Sequence, residues 1–275
     1  MRGPMQGNLT VNSSWQSVLE SPPHASHILQ IYDSDDFLSS AVARFAAAGL
    51  TAGEAVLLTG TKAHLAVIER ELGAAGVDVP AVTRNAQLVL SDVHESIVRV
   101  APQGRLEPKR FDEVACGALE NALRYGRFGG VRWWGEITNT LYHSGNRKAG
   151  MEAEKLGVAA ARKHDATVFC SFHGDRFDSR GYDEVLHELC CAHSHVIPAE
   201  NYVEHRLAVN RAIADVVGDI RGTLLQSLTS WKGVGCELPS SQALLFWLRE
   251  TLPEKFDAVL ARARTYQAGG QESLQ

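Results

Sequence analysis

The chain has 275 residues, 45% of them apolar and 21% charged, long enough to bury one or two cores and too hydrophobic for a disordered effector. Its 27 Lys and Arg against 32 Asp and Glu leave a formal charge of −5, so no basic excess holds it on a phosphate backbone and direct nucleic-acid binding is not expected. Five cysteines, at 116, 170, 190, 191 and 236, form no CxxC pair, which argues against a disulfide framework and for a reducing compartment.

Residues 1–23 read as a flexible tail, because the opening MRGPMQGNLTVNSSWQSVLESPPHAS lacks the apolar core of a secretory leader. Nowhere do 18 apolar residues run together, so the expectation is a cytoplasmic protein with no membrane segment. From His27, HILQIYD reads as a strand and the following SDDFLSSAVARFAAAGL as an amphipathic helix, capped by Asp33 or Ser34 and ended by Gly49. EAVLLTG (54–60) and TKAHLAVIEREL (61–72) repeat the strand and helix, with Gly73 at the stop. QLVLSD (87–92), VRWWGE (131–136) and ATVFCSF (166–172) are further apolar strands, with helices from Pro108 and over 149–164. Alternation of this kind predicts an α/β fold with a mainly parallel sheet and helices on both faces. After residue 175 no strand pattern is visible. Tyr182 to His193, a long segment from Val203 to Leu224, and 242–266 read as helices, with a linker at 231–241 and a tail at 267–275.

Open parallel sheets bind ligands beyond the carboxyl ends of their strands, which singles out Tyr32, Asp33 and Asp36, the turn Thr59-Gly60-Thr61-Lys62, Glu136 and His173. A phosphate-cradling loop needs GxxxxGK[ST]; TGTKAH is several residues too short, so no intact loop for Mg·ATP is present and any bound cofactor is unknown. Lys62 reads either as a solvated lysine or, with Thr61 and Gly60, as an anion site. Asp33 and Asp36 fit helix capping as well as ligand contact. Glu136 follows Trp133, Trp134 and Gly135, and is a structural ion pair or a ligand contact. Alternate residues of a strand face opposite ways, so at most one tryptophan lines a pocket, and Trp134 is the candidate. In HELCCAHSH (187–195), Cys190, His193 and His195 form a candidate metal set, although the spacing is neither CxxC nor HExxH. No GxSxG elbow and no GxGxxG follows a strand, so nothing demands an enzyme.

Read together, HASHILQIYDSDDFL (24–38), TGTKAHLAVI (59–68), RFDEV (110–114), WWGE (133–136), VFCSF (168–172) and LCCAHSHVIPAE (189–200) resemble the MEDS domain, the methanogen/methylotroph sensory domain, over roughly residues 24–200. The resemblance implies a RecA/KaiC-like fold that has lost its P-loop and senses small molecules such as hydrocarbon derivatives in signalling and transcription regulators. It also implies recurring positions at His27, Tyr32, Asp33, Asp36, Phe37, Gly53, Glu54, Gly135, Glu136, Cys190, His193, Ser194 and His195. The expected organisation is therefore a sensory domain at 24–200 and a helical region at 201–266 that relays occupancy to a second copy or a regulatory partner. Two alternatives accompany it: residual ATPase or phosphotransfer through Lys62, Asp92 and Glu136, and a His/Cys metal or haem sensor that includes His173. His205 is a candidate phosphoacceptor on the long helix.

Overall fold

A computed structural model describes residues 14–175, 184–198, 200–218, 222 and 239–272. Six strands, β1 (His27–Tyr32), β2 (Ala55–Gly60), β3 (Leu88–Asp92), β4 (Val131–Gly135), β5 (Thr167–His173) and β6 (His195–Ile197), form one sheet in the order β3-β2-β4-β5-β1-β6. Every pairing is parallel. The helix α1 (Ser14–Glu20) precedes β1; parallel strands need crossovers, and these are supplied by α2 (Asp35–Thr51), α3 (Lys62–Ala74), α4 (Val79–Arg84), α5 (Val93–Val100), α6 (Pro108–Leu123), α7 (Ile137–His143) and α8 (Arg147–Lys163). The C-terminal part adds α9 (Glu184–Ala192), α10 (Tyr202–Val217), α11 (Ser240–Thr251) and α12 (Pro253–Glu272).

Register assigns each side chain to a face. Ile28, Tyr32, Val56, Leu58, Trp134 and Phe169 join Leu19 and the apolar sides of α2 and α3 in one core. On the opposite face, Ala55, Leu57 and Val131 pack under α6 and α8, while Leu29, Ile31, Phe172 and Val196 pack under the C-terminal helices. Because both faces are covered, the strands are mainly apolar rather than alternating, and all six residues of β1 are buried.

Several boundaries differ from the sequence reading, each for a tertiary reason. The strand β6 lies after residue 175; three residues are too few to show a period, and its place is set by pairing with β1 at Ile28, Leu29 and Gln30. Residues 14–20 of the expected tail form α1, whose Leu19 is fully buried and whose Trp15 meets the Phe37 ring edge-on at 5.8 Å. The helix α2, capped by Ser34, continues through Gly49, where a Cβ would stand 2.5 Å from Arg132 Cδ. The last helix continues past 266 to Glu272, with Tyr266 bonded to Asp215 and covered by Arg211. Most of the expected linker at 231–241 lies outside the described residues.

Arg132 explains both α1 and the glycine. Its guanidinium, 4% exposed, donates from Nε to Glu54 at 2.5 Å, from Nη1 to the carbonyls of Leu19 and Phe45 at 2.8 and 3.0 Å, and from Nη2 to that of Glu20 at 3.0 Å. The orphan carbonyls at the end of α1 are thereby satisfied from inside the sheet. Removing one partner of a buried charge pair leaves the others unpaired. Arg132→Met should therefore cost about 3–5 kcal/mol in urea unfolding, and a loss below about 1 kcal/mol would contradict this role.

Candidate functional site

The carboxyl end of the sheet is closed by one carboxylate. Glu136, the residue after β4, is 1% exposed and accepts from the Thr61 backbone N–H at 3.0 Å. His64 Nδ1 lies 2.9 and 3.0 Å from its two oxygens, and Tyr32 Oη is 3.5 Å away. Thr61 caps α3 by accepting from the His64 amide, so the start of that helix offers its free amide to an anion, and the anion is the chain's own. Gly60 makes room: a Cβ there would lie 2.5 Å from the Trp134 ring and 3.0 Å from a Glu136 oxygen. Asn139 extends the network, donating to Tyr32 Oη at 3.4 Å and accepting from the His173 amide at 2.9 Å. The hydrogen bond to Glu136 outweighs burial and raises the His64 pKa above its ordinary value, with Asp35, 3.5 Å away, adding to it. Burial, and then Glu136, push the Tyr32 phenol up.

Of the sequence candidates, Tyr32, Gly60, Thr61, Glu136 and His173 meet here. His64 and Asn139 were not singled out, though His64 belongs to the TGTKAH turn. Lys62 points to solvent, 80% exposed, with Nζ 3.9 Å from Glu95. Asp33 and Asp36 are exposed, the latter in the first turn of α2. Asp92 caps α5 by accepting from the Glu95 amide, which holds its carboxyl below the usual range. Trp134 is fully buried in the α2/α3 core, its Nε1 donating to Ser171 at 2.9 Å. Ser171 bonds in turn to Gln30, and Gln30 to the Phe37 carbonyl.

Trp133, on the other face, lines a cavity of about 90 Å³ between β2, β3, β4 and helices α5, α6 and α7. Its walls are Leu57, Val89, Val100, Phe111, Val114 and Trp133; Thr59, Ser91, Ser96 and Arg99 supply polar groups. Thr59 is the sequence candidate that reaches it. Arg99 is exposed and stands at its edge.

A second polar centre lies under β1 and β5. The donor atoms of His27, Glu154, Cys170 and His193 all fall within 4.8 Å of one another. Glu154 is buried, which raises its pKa, but the two imidazoles hold its carboxyl well below the usual range. Burial, and then His193, lower His27, while burial and Glu154 push the Cys170 thiol up. Cys190 is instead packed in the core beneath the C-terminal helices, and His195 Nδ1 lies 2.9 Å from the Ser194 hydroxyl. His205 is buried, its Nδ1 3.1 Å from Ser241.

The family model MEDS, the methanogen/methylotroph, DcmR sensory domain, matches residues 26–194, more than half of the chain. No curated protein matches the sequence. Among the described residues, no helix is long and apolar enough to cross a membrane.

The raised His64 value fixes a sign. A native pKa above the ordinary 6.5 means that the pair with Glu136 contributes fully below about pH 6.5 and fades as pH rises through the raised value. His64→Gln should cost about 1–2 kcal/mol near pH 6 and clearly less near pH 9, read as denaturant midpoints. A cost that grows with pH would contradict the pairing.

Proposed function

We propose that this chain, which belongs to the MEDS family of sensory domains, is a cytoplasmic signalling receptor that binds a small organic molecule in the cavity beside Trp133 and reports occupancy without chemical turnover. The observation that carries this reading is the cavity itself: aliphatic and aromatic walls with a few convergent hydroxyls and one arginine, the usual composition of a small-molecule site. An apolar cavity of ~150 Å³ takes benzene, so about 90 Å³ suits roughly four non-hydrogen atoms. A short hydrocarbon bearing one hydroxyl, carbonyl or carboxylate fits, its apolar body on Phe111 and Trp133 and its polar end toward Ser91, Ser96 or Arg99.

Nucleotide hydrolysis is the weaker reading. In a RecA/KaiC-like scaffold a phosphate would lie at the start of α3, where Glu136 holds the Thr61 amide. A phosphate there would meet a buried carboxylate, a like-charge contact in low dielectric. Relay runs, in this reading, from the helices over the cavity to the C-terminal helices and then to a regulatory partner or a second copy.

Ligand size bounds affinity. At no more than about 1.5 kcal/mol per atom, four atoms reach about 6 kcal/mol, a Kd of tens of micromolar at best. Thermal-shift titrations should therefore extend to millimolar concentrations, where an excess of about tenfold over Kd adds ~1.4 kcal/mol of stability. Short alcohols, ketones or carboxylates are expected to raise the melting temperature, and Ala115→Leu, which fills the cavity, should abolish the rise. If none shifts melting, or Mg·ATP alone does, the receptor reading fails.

A further inference from the structure

We infer that His27, Glu154, Cys170 and His193 form a four-coordinate site for a divalent transition metal of the zinc class. The donors come from four separate places: the first residue of β1, the middle of β5, helix α8, and the turn between α9 and β6. Pairing puts His27 opposite Val168 and Leu29 opposite Cys170, so His27 and Cys170 share a sheet face. Glu154 reaches that face from α8. Its Oε1 lies 3.2 Å from His27 Nε2 and 3.2 Å from His193 Nε2, and His27 Nε2 lies 3.2 Å from Cys170 Sγ. Tetrahedral zinc with bonds of about 2.0–2.3 Å needs donor separations of roughly 3.3–3.8 Å; three of the pairs stand at 3.2 Å and all four donors within 4.8 Å, a spacing that the side chains reach once the two imidazole rings turn toward a common ion.

His27 Nδ1 lies 3.3 Å from the Ala192 carbonyl and His193 Nδ1 lies 2.6 Å from that of Leu189. A carbonyl only accepts, so each ring carries its proton on Nδ1, and in the neutral ring the Nε2 lone pair faces the Glu154 oxygen. The His193 Nε2 lone pair then faces Glu154 Oε1 across 3.2 Å, while His27 Nε2 lies 3.2 Å from both that oxygen and Cys170 Sγ. Glu154 Oε1 and His193 Nε2 are fully buried with no hydrogen bond of acceptable geometry, a costly arrangement that a positive charge between them, a proton on one ring or a metal ion shared by all four donors, relieves. The other carboxylate oxygen accepts from Thr138 at 2.9 Å. Imidazoles anchored through Nδ1 to carbonyls and a carboxylate fixed by a hydroxyl are how proteins orient metal ligands. The rings stack at 3.7 Å between centroids, so binding one ion turns them until each Nε2 points at it; one added proton would pair a single nitrogen with the carboxylate, whereas a metal ion takes all four atoms.

Charge and softness select the ion. A carboxylate and a thiolate with two neutral imidazoles carry two negative charges, which a divalent cation cancels inside a dry site. Imidazole and thiolate exclude magnesium and calcium and favour zinc or its neighbours. With Glu154 and His193 only 4% and 2% exposed and all four positions filled by protein, the site has the closed character of a structural centre. It would pin α8 and the α9–β6 turn to β1 and β5, where the helices covering the two halves of that face meet.

The test uses the full chain, untagged, and stands independently of ligand binding at the cavity. Elemental analysis should find about one zinc-class ion per chain. Chelation should lower the melting temperature, and zinc should restore it. Cobalt(II) exchange should give a thiolate charge-transfer band that Cys170→Ser removes. Should that variant fail to fold, X-ray absorption of the wild-type zinc form decides, with one sulfur and three nitrogen or oxygen neighbours expected. The proposal is overturned if chelator-treated protein neither binds zinc or cobalt stoichiometrically nor changes stability. It is equally overturned if the band survives in Cys170→Ser or no sulfur neighbours the zinc.

Discussion

The carboxyl end of this sheet depends on the placement of a single buried negative charge. Glu136 sits at the end of a central strand, where two neighbouring strands and the start of a helix converge, and it draws the Thr61 amide, His64 and the Tyr32 hydroxyl onto itself. A buried carboxylate is tolerable only with such partners. Gly60 follows from it, because any side chain there would meet Trp134 or the carboxylate. So does the shortness of the turn: Thr61 caps α3 with its hydroxyl and turns its amide inward. A helix start after a parallel strand is a common place for a bound anion; here the chain's own Glu136 occupies it.

Two further features lie on the face that carries Trp133, Cys170 and His27. One half of that face, under α5, α6 and α7, holds the cavity. Farther along the same face, His27, Glu154, Cys170 and His193 converge beneath α8 and the α9–β6 turn. On the opposite face, α2 and α3 cover an apolar core, tied by the Trp134–Ser171–Gln30 chain of hydrogen bonds. The matched family segment ends at residue 194, just before β6, so β6 and the helices from α10 onward lie beyond it. They nonetheless share a core with Leu29, Ile31 and Phe172 of the sheet.

The α/β class was legible because strands buried on both faces are written as short apolar runs between helical periods, as in AVLLT and TVFCSF. Three-residue β6 carries no such run, and α1 depends on a guanidinium more than 100 residues away. Glu136 stood out because a charge directly after two tryptophans and a glycine needs a partner. His64 did not, since the comparison with phosphate loops drew attention to Lys62, whereas the helix start turns His64 inward and Lys62 outward. Strand alternation places Trp133 and Trp134 on opposite faces but does not tell which of them borders a cavity; the walls that α5 and α6 add beside Trp133 come from elsewhere in the chain. Glu154 lies among charged neighbours in GMEAEK and reads as a solvated residue, and Cys170 reads as an apolar strand position. Only the sheet order brings them to His27 and His193.

The two adjacent indoles report most directly on whether ligand enters the hollow face of the sheet. In ¹⁵N-edited spectra of the full chain titrated with a short alcohol or carboxylate, the account predicts that the Trp133 indole resonance moves with saturation while that of Trp134, bonded to Ser171 in the sealed core, stays in place. A titration that leaves Trp133 unmoved, while Mg·ATP shifts the amides of Thr61 to His64, would contradict it.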